Sequence, residues 1–180
     1  MNKRAFSLAV SAVFIVIAFL QTPCFSDGNL DAKVKTAYIF NILKFITWPG
    51  ATVEDKTAPV RIAVVGQDPV GDLLEELSKS ALEGQALEVE HCPDEKNLSS
   101  EAHIVFISRS MEQHLPDIVQ HYQGKIVLTI SDIRQFSRRG GIIGFFQDRG
   151  RIKIEINLRM ARELGFKIDA RLLEIARIIQ

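Results

Sequence analysis

The sequence predicts a single α/β domain with a mostly parallel mixed sheet, flanking helices and a C-terminal antiparallel hairpin. Two observations favour this class. Short apolar runs of strand length alternate with segments of helical period along the chain. The last two predicted strands, Ile142–Phe146 and Ile152–Ile156, are joined only by a tight turn at Asp148, Arg149 and Gly150. Such a turn connects antiparallel strands, whereas the earlier spacing suits parallel crossovers.

The first predicted helix follows Asp31 and stops at Pro49, because proline cannot continue a helix. Its apolar side chains share one broad face: Val34, Ala37, Tyr38, Ile42, Phe45 and Ile46. A strand at Val60–Val65 comes next. Asp68 provides the cap and Pro69 the first position of a second helix, which contains Leu73, Leu74 and Leu77.

Three strands and a helix are predicted in the middle of the chain. The strands are Ala86–Glu90, which is a weak pattern, and His103–Ile107 and Lys125–Ile130, which are strongly apolar. Ser110 and Gln113 have the spacing of a capping box. They predict a helix that contains Leu115, Ile118 and Val119.

Two short helices are predicted after the hairpin. Asn157 caps the first, which starts at Leu158, and Gly165 closes it. Asp169 caps the second. Its apolar residues extend the predicted helix to the end of the chain: Leu172, Leu173, Ile175, Ala176 and Ile179.

Residues 1–26 have the pattern of a cleaved secretory signal peptide. Lys3 and Arg4 precede an apolar run, Leu8 to Leu20, that is short for a membrane-spanning helix. A small-residue exit ending at Ser26 follows it. An uncleaved membrane anchor is the alternative. Cleavage would leave residues 27–180 as one exported domain, which we expect in the periplasm.

The composition excludes some classes of function. Basic and acidic residues each number 22, so no basic excess favours nucleic acid binding. Loss of Lys3 and Arg4 with the signal leaves a small acidic surplus. Of the two cysteines, Cys24 lies at the exit of the signal and Cys92 has no assured partner. No disulfide is therefore expected.

The glycine spacing of Gly66–Gly71 resembles a phosphate-binding loop, but the chemistry does not. Asp72 and Leu73 stand where that loop needs lysine and a hydroxyl residue. An ordinary turn between strand and helix is the better interpretation.

The sequence predicts no metal, cofactor or catalytic residue. His91 and Cys92 are neighbours on a strand and point to opposite faces. His114 and His121 share a helical face without further ligands nearby in sequence. Serine occupies no nucleophile elbow. An extracytoplasmic enzyme would have to rely on a weak carboxylate pair, Glu75 and Glu76.

Four residues that follow strand ends form a candidate ligand cleft: Gly66, Ser108, Ser131 and Asp132. Ligands of open α/β sheets usually bind at the carboxyl ends of the strands. Turn and capping chemistry explains the same residues, so both interpretations stay open. A pocket lined by these three loops would favour a small-molecule sensor.

The hairpin carries more large apolar residues than one face of a strand can bury. We therefore hypothesise a protein interface made of Phe136, Ile143, Phe145, Glu155 and Met160. Replacement of Glu155 by arginine should then weaken partner binding without lowering the melting temperature. A sheet covered on both faces is the alternative. An arginine cluster around the glycine pair adds charge that could meet an acidic partner: Arg134, Arg138, Arg139, Arg149 and Arg151.

Four blocks in this order resemble the YfiR-like family of small exported bacterial proteins. They are KTAYIFNILKFITWP, IAVVGQDPVGDLLEEL, HIVFISRS, and the tail from the glycine pair through EINL to ARLLEIARII. The resemblance covers nearly the whole exported chain. Relatives commonly carry a cysteine where Ala102 stands here, so their disulfides are not expected in this chain.

The resemblance implies a periplasmic α/β domain that acts by binding and not by catalysis. Its partner would be a membrane diguanylate cyclase or another membrane sensor protein, which it represses and so lowers cyclic di-GMP. An outer-membrane lipoprotein would relieve that repression, and a homodimer stays open. A periplasmic sensor of small molecules is the alternative function.

Overall fold

A seven-stranded mixed sheet forms the centre of this computed structural model, which describes residues 27–50, 58–79 and 86–179. The strands are β1 (Ile46–Thr47), β2 (Val60–Val65), β3 (Leu87–Cys92), β4 (Ile104–Ile107), β5 (Leu128–Ser131), β6 (Ile143–Asp148), β7 (Arg151–Asn157), β8 (Lys167–Ile168) and β9 (Arg177–Ile179). Across the large sheet the order is β3-β2-β4-β5-β6-β7-β9, while β1 and β8 form a separate antiparallel pair. The predicted fold class is confirmed.

Short helices connect these strands. The α-helices among the described residues are α1 (Asp27–Ile42), α2 (Pro69–Ser78), α3 (Leu115–Tyr122), α4 (Leu158–Glu163) and α5 (Ala170–Ile175). Single 3-10 helices occupy Leu43–Phe45, Arg109–His114 and Phe136–Arg138.

Strands β3, β2, β4, β5 and β6 run parallel, and β7 turns back antiparallel to β6. Parallel pairing requires crossovers between strands, and α2 and α3 supply those from β2 to β3 and from β4 to β5. The carboxyl ends of β2, β4 and β5 therefore meet at one edge of the sheet, at Val65, Ile107 and Ser131. Open α/β sheets usually bind ligands at such an edge.

Both faces of the central strands are buried. On one face, α1 and α2 place Ile39 and Leu74 in the same apolar cluster as Phe106 of β4. On the other face, Ile118 of α3 packs in the cluster that contains Val105, the neighbour of Phe106. Burial on both faces explains why the central strands β2 and β4 are mainly apolar runs without alternation, whereas the edge strand β3 alternates with exposed glutamates.

Local capping signals position three helices as predicted. Asp68, Asn157 and Asp169 each accept a hydrogen bond from a backbone N–H two or three residues later, at 2.9, 3.0 and 2.9 Å. The capping box predicted at Ser110 is wrong. That segment starts one residue earlier as a 3-10 helix, and the hydroxyl of Ser108 accepts the N–H of Ser110 at 3.2 Å.

The end of the chain departs from the single helix predicted through Ile179. Helix α5 ends at Ile175, and Arg177–Ile179 forms β9, which pairs parallel with β7. The register places Arg177 opposite Glu155, and the two side chains form an ion pair. Tertiary pairing with a strand outweighs local helix propensity here, as it often does.

The Gly140-Gly141 pair serves two purposes. Gly140 has a φ of +96°, in the left-handed region that favours glycine. Gly141 lies against Phe136, where a Cβ would stand 2.1 Å from ring atom Cε1. The pair therefore turns the chain and lets it pass the buried ring before β6 begins.

The predicted signal peptide, residues 1–26, lies outside the described residues, as does Cys24. Within residues 27–50, 58–79 and 86–179, no helix combines the length and apolarity needed to cross a bilayer. Cys92 in β3 is buried and its thiol is free. Burial raises the pKa of that thiol, which lowers its reactivity.

Candidate functional site

A cleft of about 750 Å³ opens at the carboxyl edge of the parallel strands. This edge cleft lies between α1, the turns after β2 and β4, the end of β5 and the β6–β7 hairpin. Its size is within the usual range for small-molecule sites, roughly 300–1,000 Å³. Charged and apolar side chains both line it: Asp31, Lys35, Asp68, Asp72, Arg109 and Asp132 are charged, and Leu73, Phe145, Phe146 and Ile152 are apolar.

The structure brings two of the four predicted cleft residues to this site. Ser108 and Asp132 line the edge cleft, whereas Gly66 and Ser131 do not. The Ser131 hydroxyl donates to the carbonyl of Ile107 at 2.6 Å and accepts the N–H of Ile133 at 2.9 Å. Its role is to tie the ends of two strands together. Gly66 provides a turn with a φ of +88°.

Asp132 is the most constrained charge in the cleft. The residue is only 5% exposed, and its Oδ2 lies 2.6 Å from Nζ of Lys35. Arg109 donates from Nη2 to the main-chain carbonyl of Asp132 at 3.0 Å and lies 3.6 Å from Oδ2. The other carboxylate oxygen, Oδ1, has no hydrogen-bond partner among the described residues.

Asp68 combines a structural role with a place in the cleft. Its Oδ1 accepts the N–H of Val70 and so caps α2. Burial raises the pKa of Asp68, and the charge of Asp132 adds to that rise. The hydrogen bond from Val70 and the charge of Lys35 act in the opposite direction. The cleft thus holds two carboxylates close enough to repel each other.

Hydroxyl groups fix the turns that form the floor of the cleft. The Ser108 hydroxyl donates to the carbonyl of Gln67 at 2.8 Å and lies 3.0 Å from Oγ of Ser110. That second hydroxyl accepts the N–H of Gln67 at 3.1 Å. These bonds connect the turn after β2 with the turn after β4. Ser108 therefore has a positioning role.

The predicted hairpin interface requires a correction. Phe136, Ile143 and Phe145 are at most 4% exposed, so the expectation of an exposed face is wrong for these residues. Helix α1 lies across the face that carries Ile143 and Phe145, and the ring of Tyr38 stands 6.0 Å from that of Phe145. Phe136 belongs to the cluster on the opposite face of the sheet.

Glu155 also lies inside the fold. It is 3% exposed, and its Oε2 accepts from Nε of Arg177 at 3.1 Å and from Nη2 of the same residue. The guanidinium of Arg177 covers this carboxylate and stands 3.8 Å from the centre of the Phe146 ring. Glu155 is therefore a structural ion-pair partner in the folded chain.

Met160 is half-buried and lies away from the edge cleft. It lines a second, mainly apolar pocket of about 440 Å³ between α3 and α4, together with Ile142 and Leu164. The five predicted interface residues thus lie in four different surroundings and form no common surface.

The far end of the hairpin has no further strand beside it, and its turn is exposed, whereas Phe145 and Ile154 are buried in the apolar cluster. Strand β6 pairs with β5 only at Ile143 and Gly144, and β7 pairs with β9 only from Glu155 onward. Residues 145–154, which we call the projecting end, pair only with each other within the sheet. Its outer face carries Phe146, Asp148, Arg151 and Lys153.

Other reactive side chains form isolated pairs at the surface. His91 lies 3.5 Å from a carboxylate oxygen of Glu75, and His114 lies 3.6 Å from Glu95. In the described ranges, no three His, Cys, Asp or Glu side chains form a group that could hold a metal ion.

Sequence reasoning missed Lys35 and Arg109 as cleft residues and assigned Asp68 only a capping role. Lys35 is 97 positions from its partner Asp132, so no local pattern connects them. One signal was present for Arg109, because it directly follows Ser108 at the end of β4. A polar residue after a strand end in a parallel sheet is a fair candidate for the cleft.

The fold is similar to two solved structures. A conserved domain protein from Vibrio cholerae O1 biovar El Tor has a TM-score of 0.55 at 14% identity, over 83% of this chain and 60% of its own. The ABC domain in complex with L-Trp from Streptococcus pneumonia has a TM-score of 0.51 at 16% identity, over 66% of this chain and 55% of its own. This chain therefore spans less than two thirds of either one. At these identities the similarity concerns the fold alone.

Sequence comparison identifies the family. No curated protein matches the chain. Residues 32–177, however, match the YfiR/HmsC-like family. The match begins within α1 and ends at Arg177, the first residue of β9, and so covers the hairpin and most of the elements that form the edge cleft. The chain therefore belongs to the YfiR/HmsC-like family.

Proposed function

We propose that this protein is an exported periplasmic regulator that binds the outer domain of a membrane diguanylate cyclase and represses it. The observation that carries the proposal is the family match over residues 32–177. Its periplasmic location rests on the predicted signal peptide and on the resemblance. An outer-membrane lipoprotein that competes for this protein would relieve the repression.

The mechanism is differential binding and requires no chemistry by this chain. A periplasmic protein can change a cytoplasmic active site only by binding one conformation of the membrane partner more tightly than another. A preference of about 2 kcal/mol changes the conformational balance roughly 30-fold. A modest interface is sufficient for repression of this size.

The projecting end is the surface best suited to this contact. Phe146 is half-buried, whereas Arg149, Arg151 and Lys153 are exposed. Neither arginine has an ion-pair partner among the described side chains. Aromatic residues and arginine are enriched at protein interfaces. The partner surface that complements this end is acidic. The projecting end replaces the five-residue interface hypothesised from the sequence.

The cellular prediction concerns the level of cyclic di-GMP. Deletion of the gene is expected to raise cyclic di-GMP severalfold, because the cyclase loses its repressor. The full chain should restore the low level when expressed from a plasmid. The nucleotide is measured in cell extracts by mass spectrometry.

A chain without residues 2–26 is the control for location. It should leave the nucleotide high, because it cannot reach the outer domain. An unchanged nucleotide level after deletion would contradict the proposed function, and so would full rescue by the unexported chain.

A second prediction concerns the projecting end. The double substitution Arg149→Glu and Arg151→Glu is expected to abolish rescue of the deletion strain, because it reverses the charge that meets the acidic partner. The melting temperature of the purified variant should stay within a few degrees, since both side chains are exposed.

The matched control reverses two other exposed cations, Arg162 and Lys167, which lie outside the hairpin. The Arg162→Glu and Lys167→Glu variant should rescue fully. If both double variants are exported equally and rescue the deletion strain to the same extent, the projecting end is excluded as the docking surface.

A further inference from the structure

Strand β6 has an open edge that borders the edge cleft. Its pairing with β5 stops at Gly144, opposite Ser131, because β5 ends there. From Phe145 to Asp148, β6 has β7 on one side and, within the described residues, no strand on the other. A longer β5 would fill this place, but the strand ends before Asp132, which lines the cleft.

The turn of the hairpin determines which backbone groups lie on the open edge. Arg149 and Gly150 both have a positive φ, +49° and +74°, as in a two-residue type I′ turn. Such a turn makes Asp148 and Arg151 a hydrogen-bonded pair. Hydrogen-bonded and non-hydrogen-bonded pairs alternate along antiparallel strands. The next residue, Gln147, therefore directs its N–H and C=O away from β7, to the side of the edge cleft that it lines.

The other free edges of the large sheet carry charged side chains, which natural sheets use against the addition of a strand. These exposed residues are Glu88 and Glu90 in β3, Arg151 and Lys153 in β7, and Arg177 in β9. The β6 segment Phe145–Gln147 contains no charged residue. The open edge of β6 therefore lacks this protection.

The shape of the cleft suits a strand in the plane of the sheet. Phe145 and Phe146 point to opposite faces of β6, because side chains alternate along a strand. Both nevertheless line the cleft, so the cleft reaches both faces of β6 at its open edge. Ala32 of α1 and Leu73 of α2 lie across from them and provide apolar contacts for the side chains of an added strand.

Charge determines which peptide suits this place. Lys35 is held by Asp132 at 2.6 Å, and Arg109 lies 3.6 Å from the same carboxylate. Three further carboxylates of the lining form no ion pair with the described side chains: Asp31, Asp68 and Asp72. A basic strand is therefore favoured over an acidic one. The open edge provides the site, and the charge selects its occupant.

We propose that the edge cleft receives an extended segment of a partner protein, which pairs with the open edge of β6 as an added strand. The paired part matches Phe145–Asp148, roughly 13 Å of strand, and the segment carries basic side chains. Its backbone exchanges hydrogen bonds with Gln147, the usual source of affinity in strand addition. The strand site itself requires no cyclase. That the segment belongs to the membrane cyclase rests on the proposed function.

Selection from a peptide library tests the strand site. Random short peptides displayed on phage are selected on the exported chain, purified from an expressing bacterium. The enriched peptides should be rich in lysine or arginine and in β-branched residues. The proposal is wrong if no peptide is enriched or if the enriched peptides are acidic.

Methylation of the peptide backbone shows how an enriched peptide binds. Each peptide N–H is replaced in turn by N–CH3, and the affinity for the exported chain is measured by calorimetry. Methylation at alternate positions should weaken binding at least about tenfold, since only every second N–H of a strand faces its neighbour. The same effect at every position would exclude strand pairing.

Two substitutions of Gln147 locate the peptide. Gln147→Pro removes the backbone N–H on the open edge and Gln147→Ala keeps it, while both remove the side-chain amide that donates to Asp31. Proline is tolerated on an edge strand whose N–H faces outward, so the two melting temperatures should agree within a few degrees. Peptide affinity should be about tenfold lower in the proline variant. Equal affinities in the two folded variants would overturn the proposal.

A second pair of variants decides the location if Gln147→Pro does not fold. Asp72 and Asp117 are exposed acids in the first turns of α2 and α3, but only Asp72 lines the edge cleft. Asp72→Asn should weaken binding of a basic peptide severalfold, whereas Asp117→Asn should leave it unchanged. Equal effects of these two substitutions would place the peptide outside the cleft.

Rescue of the deletion strain separates this proposal from the proposed function. Gln147→Ala should restore low cyclic di-GMP, and Gln147→Pro should not. If the peptide requires the β6 edge but both variants rescue fully, the strand site is supported and its assignment to the cyclase is wrong. If deletion of the gene leaves cyclic di-GMP unchanged, the proposed function fails, and the peptide affinities still decide the strand site.

Discussion

Replacement of Phe136 by alanine is expected to lower the free energy of unfolding by about 3–5 kcal/mol. The ring is 0% exposed and belongs to the cluster formed by α3 and the adjacent face of the sheet. Gly141 passes so close that a Cβ would stand 2.1 Å from Cε1 of the ring. Truncation leaves a cavity that this tightly packed backbone cannot easily fill. Urea unfolding followed by circular dichroism measures the loss.

Phe146→Ala is the matched control. This ring is half-buried and contacts the guanidinium of Arg177, so its loss should cost about 1 kcal/mol. The affinity for the partner should change in the opposite order. When equal concentrations of folded protein are compared, Phe146→Ala should weaken partner binding more than Phe136→Ala. A stable Phe136→Ala variant that no longer binds its partner would return Phe136 to the interface.

Local signals in the sequence were sufficient for most elements of the fold. A cap such as Asp68 or Asn157 satisfies backbone N–H groups within three residues, so its effect is encoded nearby. The apolar runs of β4 and β5 indicate burial on both faces, and the structure buries them on both. These features depend on neighbours in sequence.

The C-terminal segment shows where such reasoning ends. Its residues suit a helix, yet Arg177–Ile179 forms a strand. The decisive contacts are with β7, about twenty positions earlier. Helix propensities differ by less than about 1 kcal/mol per residue, so a strand register and an ion pair can outweigh them.

The faces of the hairpin could not be assigned from the sequence for a similar reason. Alternation separates Ile143 and Phe145 from Gly144 and Phe146, but it does not state which set α1 covers. In the structure, α1 covers the first set. The same limit applies to the cleft, where Asp132 follows a strand end but Lys35 approaches from a distant helix.

Replacement of Glu155 by arginine is now expected to destabilise the fold by about 3–5 kcal/mol, the usual cost of breaking a buried ion pair. The sequence alone predicted no change in melting temperature. Glu155 is 3% exposed and its only cationic partner among the described residues is Arg177. The substitution places two guanidinium groups side by side between β7 and β9. Opposite Glu155 in β6 is Gly144, which has no side chain to offset the charge.

The charge-swapped pair Glu155→Arg with Arg177→Glu tests this explanation. It restores opposite charges at the β7–β9 register and should recover at least about 1 kcal/mol relative to the sum of the single variants. Recovery identifies the ion pair as the cause, because a purely steric effect of the larger side chain would persist in the double variant. If Glu155→Arg instead keeps the wild-type melting temperature and loses only partner binding, Glu155 acts at the interface, and the buried ion pair is the wrong account of it.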